Sequence, residues 1–179
     1  SLAGMPNPYL YVLDEPLARA DVLEQLASMP ARLREAVAGA TDHTLLRRAS
    51  ADDWSAFETF QHVRDAALVY SARFRWMVFD DDPLLMNYDE NAWVAAAKDV
   101  PGDVPAILNE IAASRADLVR VLSRLTDEEW PRTGRHEVAG RVVLEDYVRH
   151  QVAHEAMHLE QIRAAGLRAL DAGTVQAAR

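Results

Sequence analysis

The sequence predicts an all-α protein built as a four-helix bundle, and three observations carry that reading. The chain has 179 residues, one domain's worth, and half of them are hydrophobic, enough to fill a single sizeable core. Four long segments place apolar residues at helical spacing. No repeat, low-complexity tract or inter-domain linker separates them, so four rods packed around one core are the natural solution.

The first helical pattern runs from about Pro16 to Val37, with Leu23, Leu26, Leu33 and Val37 on its apolar side. Pro30 falls inside it and predicts a kink or an interruption, because proline removes a donor and crowds the preceding turn. The second begins after Ser55, with Glu58 placed to complete a capping box. It carries Phe60, Val63, Ala67, Tyr70, Phe74 and Met77 on one side and His62, Ala66, Val69, Arg73 and Trp76 on the adjoining side. Asp80 to Pro83 end it.

A short helix is expected around Asn91 to Ala97, and Pro101-Gly102 then breaks the chain. The third long helix covers about Val104 to Leu125, burying Ile107, Ile111, Leu118, Val121, Leu122 and Leu125. Arg132 to Arg141, with two glycines, reads as a loop or short hairpin. The fourth long helix spans about Leu144 to Leu167, with Gly166 where a C-terminal cap is expected. One domain over residues 5–170 follows. Ser1 to Gly4, before Met5, read as a cloning remnant, and residues 171–179 as a frayed tail.

Composition excludes several classes of function. The net charge of −9 and pI near 5.1 argue against a nucleic-acid surface. No apolar run approaches the ~20 residues of a membrane span. Cysteine is absent, which removes disulfides, thiolate ligands and a cysteine nucleophile. A cytoplasmic protein is the expectation.

The fourth helix carries the chemistry. His154-Glu155-Ala156-Met157-His158 spells H-E-x-x-H, and residues four apart on a helix leave the same face about 40° apart. That spacing lets one divalent ion take two ligands from one helix. The stripe continues through Val143, Tyr147, His150, His154, His158, Gln161 and Ala165, flanked by the apolar Leu144, Val148, Leu159 and Ile162. Buried imidazoles need partners, since an unsatisfied buried polar group costs about 1–3 kcal/mol. A metal satisfies three core histidines more readily than separate hydrogen bonds do.

His62 is the best-placed third ligand, at the edge of the apolar face of a long helix that bundle packing can set opposite His154 and His158. His150 lies two turns from His158, so a single ion does not reach all three histidines of the stripe. His43 and His136 fall in segments that read as loops. A zinc-protease reading of the pentapeptide is the weaker one, because Gln161 and Ala164 break the extended H-E-x-x-H-x-x-G-x-x-H motif. A di-iron carboxylate site is weaker still, because Glu155 and His158 form only one Glu-x-x-His.

Trp54 to Asp65, Gly134 to Glu145 and His150 to Ile162, in that order and at that separation, resemble the DinB/YfiT family of bacterial metal-binding bundles over nearly the whole chain. The resemblance implies an up-down-down-up topology, a metal triad at His62, His154 and His158, and a homodimer, to which Trp93 or Trp130 would contribute if exposed. It implies zinc or nickel as cofactor, with iron or manganese as further candidates. Characterised members include thiol S-transferases using bacillithiol or mycothiol and a thiol-dependent maleylpyruvate isomerase.

The expected function is therefore transfer of a low-molecular-weight thiol to an electrophilic small molecule at a divalent metal. A metal-dependent hydrolase and a non-catalytic, stress-related metal-binding or dimerisation module are the alternatives. Three neutral imidazoles leave the ion an open position, where a thiol would lose its proton and the pKa of water would fall. Glu155 is the candidate proton acceptor, and Asp65 and Gln161 are candidates to hold ligand N–H groups.

Overall fold

Ser55 opens the helix around which the molecule is organised. Its hydroxyl accepts from the Glu58 amide while the Glu58 carboxylate accepts from the Ser55 amide, so the capping box is complete. The computed structural model describes the backbone of residues 16–97 and 103–176 and the side chains of residues 16–96 and 103–165. Within them run α1 (Arg19–Ala36), α2 (Asp42–Leu46), α3 (Ala56–Phe79), β1 (Leu84–Leu85), α4 (Glu90–Ala97), α5 (Val104–Leu122), β2 (Thr133–His136), β3 (Gly140–Val143) and α6 (Leu144–Gln176). None of these helices is long and apolar enough to cross a membrane.

The long helices α1, α3, α5 and α6 form the bundle. Both α1 and α3 pack against α5 and against α6, so α1 and α3 face each other across a diagonal. The strands make a small sheet in the order β1-β2-β3, with β1 parallel to β2 and β2 antiparallel to β3. Gly140 takes a positive φ of 71° at the β2–β3 turn, where a side chain would be strained. Gly134 permits a close approach, since a Cβ there would lie 3.0 Å from Leu85 Cδ1. The expected loop or hairpin is thus a hairpin.

Two features of the helices differ from expectation. The first helix is not interrupted at Pro30, which sits buried inside α1. Proline cannot donate to the Leu26 carbonyl, and Arg115 Nη1 from α5 reaches that carbonyl instead, at 3.5 Å. The last helix does not stop at Gly166; α6 continues to Gln176, so the expected cap is absent and most of the expected frayed tail is helical. One glycine in a helix interior costs about 1 kcal/mol, too little to end it in an alanine- and leucine-containing run. The Pro101-Gly102 break and the Ser1–Gly4 remnant lie outside the described residues.

Two apolar clusters fill the bundle, one above the other. One contains Leu26 of α1, Phe74 of α3, Leu118 of α5 and Val148 of α6. The other contains Leu33, Phe60, Ile111 and Leu159 from the same four helices. The helices pass from one cluster to the other at a common level, and Arg115, His154, Glu155 and His158 are all buried there. This polar waist positions the site. Trp130 belongs to the core, 4% exposed with Arg19 over its ring, so it is no dimer surface.

Candidate metal centre

Three imidazoles converge in the waist. His62 comes from α3, and His154 and His158 come from successive turns of α6; all three are buried. His154 Nε2 lies 3.1 Å from His62 Nε2 and 3.1 Å from His158 Nε2. One ligand nitrogen from each ring falls within 4.8 Å of the others. An imidazole nitrogen carries either one proton or one lone pair, so His154 Nε2 cannot complete good hydrogen bonds to both neighbours. Zinc–nitrogen bonds of about 2.0–2.1 Å place tetrahedral ligands roughly 3.3–3.4 Å apart, close to these separations. The donor set fits a divalent ion.

Electrostatics favour the ligand form of each ring. Burial, with the neighbouring His158 second, pushes the His62 pKa down to about 4. Burial and the three surrounding histidines push His154 down to about 2, and burial lowers His158 as well. All three rings are neutral near pH 7 and have lone pairs to offer. Gln161 Oε1 accepts from His158 Nδ1 at 2.7 Å, which puts the proton on Nδ1 and leaves Nε2 for a metal. His62 Nδ1 is buried with no hydrogen-bond partner among the described residues, and Trp54 packs 5.0 Å from the ring, centroid to centroid.

The other histidines go elsewhere. His150 is buried and shares a 2.8 Å hydrogen bond with the Tyr70 hydroxyl. His43 is exposed on α2. His136 is on β2, where its Nδ1 accepts from the Val138 and Ala139 amides, and it lines a cavity together with His150 and His154.

Two acidic candidates are placed differently from expectation. Glu155 does not face the triad's open side: both its oxygens accept from Arg115, and Gln151 Nε2 donates to one of them at 3.0 Å. A carboxylate so engaged is poorly suited to take protons from a substrate. Asp65 pairs with Arg64 and leaves His62 Nδ1 untouched.

Sequence reasoning missed Glu90. Its Oε2 lies 3.9 Å from His62 Nε2, at the start of α4, with the side chain about half exposed. Burial, then the neighbouring Asp89, raises its pKa above the ordinary carboxylate value. The only sequence signal was Asp89, whose side chain accepts from the Ala92 amide and starts the helix there.

Two hollows lie near the triad: the smaller is walled in part by His154, the larger by Trp54 and Gln161, which touch His62 and His158. A groove of about 880 Å³ is lined by Trp54, Asn91, Met157 and Gln161 among others. A cavity of about 320 Å³ is lined by residues including Tyr88, Glu90, His150 and His154.

Fold and site together define a helical-bundle protein with a buried three-histidine candidate metal centre. The chain belongs to the DinB superfamily, whose family model matches residues 25–162. It is 24% identical over 143 residues to a protein of Oceanobacillus iheyensis named provisionally as a metal-dependent hydrolase, covering 80% of this chain and 82% of that one. It is 27% identical over 145 residues to YfiT of Bacillus subtilis, named in the same way, covering 78% of this chain and 79% of that one. The solved structure of Bacillus subtilis YfiT, described as having an unusual four-helix bundle topology, superposes with a TM-score of 0.81 at 22% identity, over 89% of this chain and 93% of that one. The mycothiol-dependent maleylpyruvate isomerase superposes with a TM-score of 0.61 at 15% identity, over 86% of this chain and 68% of that one. At those identities both likenesses concern the fold.

Proposed function

We propose that this protein is a metal-dependent enzyme that joins a low-molecular-weight thiol to an electrophilic small molecule, with His62, His154 and His158 holding the ion. The observation that carries the reading is the triad itself: three neutral, buried nitrogens 3.1 Å from one to the next, with a cavity of about 320 Å³ walled in part by His154. A divalent ion bound there supplies the Lewis acidity that favours a thiolate over a thiol at neutral pH.

The chain's own residues do the rest. Gln161 fixes the His158 tautomer, and Trp54 covers one face of His62. Glu90, beside His62 and partly desolvated, accepts the proton that the nucleophile gives up. The protein has no cysteine, so the thiol comes from a small molecule. The larger groove is sized for that cosubstrate and the smaller cavity for the electrophile.

Hydrolysis is the second reading, and the names of the Oceanobacillus and Bacillus relatives favour it. The same triad and the same Glu90 would then serve water. Zinc- or nickel-loaded protein incubated with bacillithiol or mycothiol and a model electrophile separates the readings. Product formation that requires thiol and is lost in His154→Ala is the expected result. No rate above that variant with either thiol would overturn thiol transfer, and thiol-independent cleavage of an ester or amide would install hydrolysis in its place.

A further inference from the structure

Among the described residues the bundle buries two arginines, and only one of them has a countercharge there. Arg115 is matched by Glu155. Arg73 of α3 is 4% exposed, yet no carboxylate among the described residues forms an ion pair with it. Its Nη1 donates to the Tyr147 hydroxyl at 2.7 Å, its Nη2 donates to the Met86 carbonyl, and its Nε has no partner. Both partners are neutral, and a guanidinium offers five N–H groups. Tyrosine rings at 5.9 Å, Tyr70 and Tyr88, add only their weak cation–π attraction. A buried charge without a partner of opposite sign is strongly unfavourable, so such groups are normally paired.

The missing partner has a place to sit. Arg73 lines the 320 Å³ cavity, whose wall also holds Tyr88, His136, Tyr147, His150 and the metal-ligand candidate His154, with Glu90 turned to His62 and making no ion pair with Arg73. We infer that this cavity is a subsite for a small molecule bearing a carboxylate, which Arg73 neutralises while the rest of the molecule extends toward His154. The planar fork of one guanidinium matches a carboxylate in two-point fashion. Only the direction in which the ligand extends rests on the triad being the reaction centre. The electrophile or hydrolysable substrate is then an organic acid.

The test needs no turnover. Butanoate and its neutral counterpart butanamide are titrated into the whole chain, stripped of metal and again loaded with zinc, while the ring resonances of His136 and His150 are followed by NMR. Butanoate should shift both resonances saturably, at least roughly tenfold more tightly than butanamide, in the metal-free form as well as the zinc form. Arg73→Gln should abolish that difference. Where Arg73→Gln does not fold, the comparison of the two ligands on the unaltered chain still decides. Equal affinities, or no saturable shift at His136 and His150, would overturn the subsite, and tighter binding of inorganic phosphate would overturn its assignment to carboxylates. Failure of the chain to take up zinc would count against the metal reading and leave this result standing.

Discussion

Arg115 and Glu155 close on each other as a two-point ion pair in the waist of the bundle, with side chains 2% and 1% exposed. The same guanidinium reaches the Leu26 carbonyl that Pro30 cannot serve. One arginine therefore joins α1, α5 and α6 at the level of the metal-ligand candidates, and the glutamate of H-E-x-x-H serves the fold. Glu155→Ala leaves a buried charge unpaired and should destabilise the protein by roughly 3–5 kcal/mol. Replacing both partners at once, Arg115→Met with Glu155→Leu, should recover most of that loss. Chemical denaturation of the single and double variants measures it. An equal loss in both would show that the pair itself carries the stability.

Gln161 orients a candidate ligand through its 2.7 Å bond to His158 Nδ1. Partners of this kind typically contribute 10–100-fold to metal affinity. Gln161→Leu should weaken zinc binding by about that factor, whereas His158→Ala should remove it. Competition against a chromophoric chelator reads both, and unchanged affinity in Gln161→Leu would contradict the assignment.

The histidine pair on α6 was readable because helical spacing alone sets two residues on one face, and His62 stood out at the edge of an apolar stripe on a long helix. The capping box at Ser55 and Glu58 was equally plain, since capping is local chemistry. Residues whose roles depend on distant partners were hidden. Nothing near Glu155 announces Arg115, forty positions earlier, and nothing near Pro30 reveals that the Leu26 carbonyl it leaves unserved is met from α5. Glu90 and Arg73 acquire meaning only when α4 and the Tyr88 segment fold over α3. Gly166 misled for the opposite reason: its local preference is weak and the surrounding helix overrides it.

His150 should make the metal-free protein sensitive to acid. Burial first, then His136 and Arg73, push its pKa down to about 4. An unfolded histidine takes up its proton near pH 6.5, so between those values the unfolded chain binds more protons. The contribution to stability is complete above about pH 6.5 and is lost as pH falls toward 4. Its ceiling for this residue is about 3 kcal/mol, and His62, pushed down to about 4 as well, adds to the same acid limb. Denaturation curves between pH 4 and 7 should be steepest for the unaltered metal-free chain and shallower for His150→Gln. Matching slopes would mean that His150 titrates normally in the fold.

Glu90 is positioned to handle a proton. It lies 3.9 Å from His62 Nε2, and its carboxyl is held above the usual range by burial and by Asp89. A proton acceptor works best when its pKa approaches the working pH, and one well-placed acceptor is typically worth about 10²–10⁴ in rate. Glu90→Gln keeps the shape and removes the basicity, so kcat should fall by at least about 10²-fold. The side chain is half exposed, so stability should change by no more than about 0.5 kcal/mol. Zinc affinity should change less than in Gln161→Leu. The acid limb of the pH–rate profile is the decisive reading, because it should vanish with the carboxylate. A variant that keeps both its kcat and that limb would return the proton to solvent and leave Glu90 without a part in the chemistry.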